Sequence, residues 1–312
     1  SRHVYFAADG ICHQIGVEYL LPQTLKDKLF HRLTTTRILA DSRQGTRTDR
    51  LMLCGDIDYR HQSRDTAAVT NDELAYHNMR QSSPKLDAIT FSRASLDSIH
   101  SMRHSHADDV MLERDSATEA AVRALWNDFN IAFISTHGFF SEVENIGTDL
   151  HPASTDEQLS KNCLFLAGSD STLRAPIFNS SDADGILSAR EIADMDLHNV
   201  GLTVMAACMS GMGYITPDGI FGLQRGLKIA GVKAIVASLW SVDGRATNHF
   251  MRFLFANLQQ GLSIHDAFTN ARAQLSTFVE EQTFGTGKTI TICKYFNAPY
   301  FYNAFILIDG VE

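Results

Sequence analysis

Two apolar, β-branched runs constrain this chain more than anything else in it. They are Ile131-Ala132-Phe133-Ile134-Ser135-Thr136-His137-Gly138 and Leu202-Thr203-Val204-Met205-Ala206-Ala207-Cys208-Met209-Ser210-Gly211. A short continuous apolar run ending in small or glycine residues is the pattern of a strand buried on both faces, and such strands belong to parallel sheets covered by helices. In open α/β sheets, reactive groups stand just past the carboxyl ends of the strands. Both runs stop at a reactive side chain. His137 and Cys208 are therefore expected at one edge of one sheet, where an imidazole can activate a thiol.

The rest of the chain reads in the same class. Asp9-Gly10 between Val4–Ala7 and Ile11–Ile15 signals a hairpin turn. Residues 50–55 read as a strand, and about 56–114 as a polar loop or insert rich in Arg, His, Ser and Asp. A helix is expected to open at Asp115 or Ser116 and run to Phe129, and 142–161 reads as another polar loop. Strands are expected at 162–167, 233–239 and 303–308, and helices at 187–195, 219–230, 245–260 and 263–278. Ser188 and Glu191 form a capping box. Alternating strands and helices from Asp115 onward imply right-handed crossovers and a mostly parallel sheet. The organisation expected is an N-terminal part, 1–114, beside or extending a larger α/β unit, 115–312.

Composition bounds the partners. The 312 residues are 44% hydrophobic, enough for a sizeable core, and the net charge of -9 with no long basic run argues against nucleic-acid backbone binding. No apolar stretch reaches spanning length, and Lys233 interrupts the strand-like run from Val232 to Trp240, so no membrane span is expected. Ser1 is not an initiator methionine, so the chain reads as a fragment of a longer protein. The five cysteines, Cys12, Cys54, Cys163, Cys208 and Cys293, are odd in number and widely spaced, which speaks against a disulfide framework or a paired zinc site. Cys12, Cys54 and Cys163 read as core thiols, and a cytoplasmic setting follows from this usage.

At the sheet edge, a thiolate attacks carbonyl carbon, and the backbone N–H groups of Gly138 and Cys208 are placed to hold an oxyanion. Gly211 and Gly213 let the chain turn beneath the nucleophile. The plain alternative is a hydrogen-bonded histidine and a buried thiol.

The wording around these residues favours the chemistry. In order along the chain come Asp9-Gly10, Cys54-Gly55-Asp56, Ala117-Thr118-Glu119 and Ser135-Thr136-His137-Gly138-Phe139-Phe140. Asp184-Gly185-Ile186-Leu187-Ser188-Ala189-Arg190-Glu191-Ile192 and Ala206-Ala207-Cys208 follow. The stretch from Gly231 to Asp243 and Ala298-Pro299-Tyr300-Phe301-Tyr302-Asn303-Ala304-Phe305 complete the set. This ordered set resembles the CHAT family of caspase-like cysteine peptidases related to separase. Ala206, Met209 and Ser210 depart from the family's usual residues around the cysteine.

The resemblance implies a caspase-like three-layer α/β/α sandwich with a mostly parallel sheet. It implies a cysteine endopeptidase with His137 as base and Cys208 as nucleophile, acting through an acyl-enzyme on a protein substrate. It also implies that the residues after the next strand, Ser238, Trp240 and Asp243, line the pocket for the residue before the scissile bond, with Asp243 selecting Arg or Lys. Asp243 reads equally well as the cap of the helix at Arg245. A basic preference would make Arg103 and Arg114 in the polar insert self-cleavage sites, and an activating partner is a further expectation. The rivals are a catalytically silent module that recruits a partner through the same groove, and another acyl transfer by the same dyad.

Two metal signals are set aside. Asp182, Asp184, Gly185 and Glu191 fall at calcium-loop offsets, but Ser180 stands where the first ligand would be Asp. His100, His104 and His106 with Asp108 and Asp109 read as a solvated insert rather than a metal cluster. No cofactor is expected.

Overall fold

Strand alternation sorts the apolar residues into two layers. The computed structural model describes residues 2–20, 25, 28–40, 50–61, 86–103, 108–140, 155–174, 184–216, 219–286 and 288–311. Its strands in chain order are β1 (His3–Ala7), β2 (Leu29–Leu33), β3 (Leu51–Ile57), β4 (Val110–Arg114), β5 (Ile131–Ser135), β6 (Gly138–Phe140), β7 (Asn162–Phe165) and β8 (Ile186–Ser188). They continue with β9 (Leu202–Ala206), β10 (Tyr214–Thr216), β11 (Gly219–Phe221), β12 (Ala234–Ser238), β13 (Val279–Thr286), β14 (Lys288–Tyr295) and β15 (Phe305–Ile308). Successive residues of a strand face opposite sides. Accordingly Ala132, Ile134, Met205 and Ile235 join one core with Val122 and Trp126, while Ile131, Phe133, Val204 and Val236 join a second with Phe250 and Phe268. The result is a three-layer α/β/α sandwich, with the Ser92–Met102, Gly244–Gln259 and Ile264–Thr277 helices on the second face.

The central sheet runs β1-β2-β15-β12-β9-β5-β3-β4. β12, β9, β5, β3 and β4 are mutually parallel. β1, β2 and β15 are parallel to one another, and β15 meets β12 antiparallel, so these three run the other way. β6-β7-β8 forms a small antiparallel sheet behind His137, and β13–β14 an antiparallel hairpin. Strands from both halves of the chain share the central sheet.

Several expectations need correcting. Ile11–Ile15 is not a strand: Gly10–Gln14 is a 3-10 turn whose start Asp9 caps, and β1 pairs instead with β2, which the sequence reading missed. That places Cys12 half-buried in the turn rather than in the core. The polar stretch 56–114 contains the Ser92–Met102 helix and β4, an edge strand of the sheet. The next helix begins at Glu119, because the Thr118 side chain, not that of Asp115 or Ser116, accepts the Ala121 N–H. Gly219–Phe221 is a strand before the Leu223–Ile229 helix, and Thr155–Ser160 within 142–161 is helical. The Ser188–Glu191 capping box is present as read. Among the described residues, no helix is long and apolar enough to cross a membrane.

Candidate active site

Register brings the two reactive residues together. β5 and β9 are neighbouring parallel strands with Ser135 opposite Ala206. Each reactive residue follows two positions later, so His137 and Cys208 leave the sheet at the same height on strands about 4.8 Å apart. The chains stay close beyond the sheet: a Cβ on Gly138 would lie 2.8 Å from the Cys208 carbonyl oxygen, an approach that only glycine admits.

The imidazole is oriented by the main chain. His137 Nε2 lies 2.8 Å from the Asp87 carbonyl oxygen. A carbonyl only accepts, so Nε2 carries the hydrogen, and in the neutral ring Nδ1 is the free basic nitrogen. The Tyr59 ring packs 5.1 Å from the imidazole, and Tyr59 Oη lies 3.1 Å from Thr136 Oγ1, which donates to the Phe165 carbonyl. The Phe165 N–H in turn donates to the His137 carbonyl at 3.0 Å. Hydrogen-bonded and non-hydrogen-bonded pairs alternate along an antiparallel ladder. The next pair, Gly138 with Leu164, is therefore non-bonded, and the Gly138 N–H points away from β7.

The thiol sits on a tight turn. Met209 takes a positive φ of 57°, and a Cβ on Gly211 would lie 2.9 Å from the Ser238 carbonyl oxygen. Ser238 is fully buried; its hydroxyl donates to the Ala207 carbonyl at 2.6 Å and so props the turn under the nucleophile. Cys208 is half-buried, with Sγ 3.5 Å from Ser241 Oγ. Among the described residues, His137 and Cys208 share no hydrogen bond: one ring nitrogen is held by Asp87 and the sulfur lies against Ser241. Cys54 and Cys163 are buried, and burial pushes the Cys54 thiol up to about 12, so neither competes as nucleophile.

The residues on either side of Ser241 are fixed by local contacts. Trp240 stacks on Tyr300 with centroids 6.1 Å apart and donates its indole N–H to the Tyr300 carbonyl, while Tyr300 Oη donates to the Ser241 carbonyl at 2.9 Å. Asp243 caps the Gly244–Gln259 helix, its Oδ1 accepting the Ala246 N–H at 2.9 Å. Lys294 reaches both of its carboxylate oxygens, at 3.1 and 3.3 Å. Partial burial pushes this carboxyl up, but the Ala246 N–H and the Lys294 ammonium outweigh it and hold the group below the usual carboxylate range.

Of the basic residues proposed for self-cleavage, Arg103 is buried in a two-pronged ion pair with Asp109 and is not presented to a protease, whereas Arg114 is exposed at the end of β4. Asp184 binds the Ile186 N–H, Glu119 binds the Gly185 N–H, and Glu191 belongs to the capping box. Burial and mutual repulsion hold the Glu119 and Asp184 carboxyls well above their ordinary range. Asp182, His104 and His106 lie outside the described residues, and among the described residues no group of His, Cys, Asp or Glu is arranged to hold a metal.

Asp87, Tyr59, Ser241 and Lys294 are the site residues that sequence reasoning missed. The first acts through its main-chain carbonyl, which has no side-chain signature; Ser241 stood inside the quoted Gly231–Asp243 run.

Comparison with known proteins matches a CHAT domain over residues 2–309. Tetratricopeptide repeat protein 28 is similar over short stretches: 30% identical over 77 residues in Mus musculus and 29% over 86 in Homo sapiens, or 25% and 28% of this chain. The matched stretch is only 3% of those relatives' own length. Among solved structures, the Saccharomyces cerevisiae separase–securin complex aligns over 87% of this chain and 14% of the other at 12% identity and a TM-score of 0.49. Gingipain R, an Arg-specific cysteine proteinase, aligns over 98% of this chain and 62% of its own at 8% identity and a TM-score of 0.44.

Proposed function

This chain belongs to the CHAT domain family, and on that premise we propose that it is a cysteine endopeptidase cleaving a protein substrate after a basic residue through His137 and Cys208. The observation that carries the reading is the shared register of the two side chains on adjacent parallel strands, with Nδ1 of His137 left as the basic nitrogen. His137 Nδ1 takes the proton from Cys208 Sγ, and the thiolate attacks the peptide carbonyl carbon. The N–H groups of Gly138 and Cys208 hold the oxyanion. Nδ1 returns the proton to the amide nitrogen as the C–N bond breaks, leaving a thioester. Nδ1 then takes a proton from water as that water attacks the thioester, the acid departs, and the thiol is restored.

Asp243 supplies the acidic end of the groove and Trp240 a wall, so Arg or Lys precedes the scissile bond; a carboxylate there forms a bidentate contact with a guanidinium. Self-cleavage within 56–114 falls at exposed Arg114, and an activating partner completes the reading. A second reading, a silent module that binds a partner through the groove, is favoured by the resting contacts: His137 bonds Asp87 and Cys208 lies against Ser241, not each other.

One experiment separates the two. Intact mass is measured after exposure to Arg-, Leu- and Asp-based acyloxymethyl ketones, with Cys208→Ala alongside. A single adduct on Cys208 from the Arg probe is expected. No adduct from any probe, in the presence of an intact fold, would mean a latent enzyme awaiting its partner or the silent module.

A further inference from the structure

Asp243, the carboxylate read above as the partner of a basic substrate residue, already holds a cation from the chain itself. Lys294, on β14, sits 51 residues from Asp243 in sequence and engages both carboxylate oxygens. Its ammonium also lies over the Phe296 and Phe301 rings, 5.1 and 5.8 Å from their centroids. The hairpin is anchored separately: Glu280 on β13 meets Arg245 at 3.5 Å and His249 at 3.7 Å on the same helix that Asp243 caps. Asp243 stands two residues past Ser241, whose hydroxyl touches the Cys208 sulfur.

We propose that Lys294 is a built-in stand-in for the substrate's basic side chain, so that the β13–β14 hairpin keeps the recess filled until a guanidinium displaces it. The proposal rests on the reading of Asp243 as the recess for a basic residue. The contact suits a latch rather than a strut. Both side chains are about a third exposed, at 32% and 30%, and ion pairs so exposed hold weakly. A substrate guanidinium, with two parallel N–H donors, makes the stronger contact. The cap bond from Ala246 keeps the carboxylate aimed when Lys294 leaves, so the emptied recess is pre-organised. The Glu280 contacts keep the hairpin base in place at the same time.

The test uses the full chain and benzamidine, a soluble guanidinium mimic, read by tryptophan fluorescence; Trp126 is fully buried, which leaves Trp240 as the reporter. Lys294→Ala should bind benzamidine up to about fivefold more tightly than the parent, the upper end of what an exposed ion pair contributes. Asp243→Asn, which retains a capping side chain and so its fold, should lose that binding. Labelling of Cys208 by the Arg probe should accelerate by the same factor in Lys294→Ala, with the Leu probe unmoved.

If Cys208 is unlabelled in both proteins while benzamidine tightens in Lys294→Ala and fails in Asp243→Asn, the latch stands and the peptidase reading gains no support. The latch itself is refuted if benzamidine binds parent and Lys294→Ala equally, binds neither, or binds Asp243→Asn as well as Lys294→Ala. It is also refuted if Arg and Leu probes accelerate together.

Discussion

The two blocks of the central sheet are held in different ways. In the five-stranded block, β5, β9 and β12 are buried at every position, and most of their residues belong to the two apolar cores. In the opposite-running block, β1 alternates between exposed and half-buried residues, and polar partners fasten it and β2. Arg32 forms a two-pronged pair with Glu18, at 2.6 and 3.0 Å, and donates to the Cys12 and Ile15 carbonyls. Asp309 accepts the Thr34 N–H and hydroxyl and pairs with Lys228. His3, Tyr5, His31 and His265 stack, with His3 Nδ1 2.9 Å from His31 Nε2. The reactive residues hang from the block held mainly by apolar packing, while polar and titratable groups fasten the other block directly.

That contrast can be broken or sharpened, beginning with the largest effect. On the proposed peptidase reading, Cys208→Ala should lower turnover by about 10⁶-fold, the scale seen when a nucleophile is deleted, and abolish probe labelling, while the melting temperature stays put. A melting shift of many degrees would mean that the turn at the edge also carries the block. Phe133→Ala should cost about 3–5 kcal/mol in urea unfolding, because Phe133 is fully buried edge-on against Phe255.

Acid should act on the other block first. Burial, aided by neighbouring His265 and His3 and opposed by Asp266, lowers His31 to about 4. The unfolded chain takes up its proton near 6.5, so stability is full above that pH and is lost as pH falls towards 4. Hydrogen exchange at pH 7 and pH 5 should show β1 and β2 losing protection while β5 and β9 keep theirs; uniform loss would erase the distinction. Thr34→Val, the mildest change, should cost about 1 kcal/mol by removing the hydroxyl bond to Asp309, again with exchange changes confined to β2 and its neighbours.

What was legible follows the same division. β5, β9 and β12 announce themselves because burial on both faces demands consecutive apolar residues, and the Ser188–Glu191 box announces its helix because capping is local. β2, Leu29-Phe30-His31-Arg32-Leu33, does not, since its polar residues are held from outside the strand, His31 by His3 and the stacked His265 ring and Arg32 by Glu18. The β13–β14 hairpin escapes for a related reason: it pairs only with itself and lies outside the central sheet.

At the site, local sequence is enough to set two reactive residues at the ends of two buried strands, because strand ends are written in composition. Their adjacency and common height depend on β5 and β9 being neighbours in register. The Asp87 carbonyl on His137, Ser241 against Cys208 and Lys294 on Asp243 depend on loops and a hairpin folding back from distances of 50, 33 and 51 residues. Such contacts are made by groups whose local sequence is indifferent to them, so packing alone assigns them.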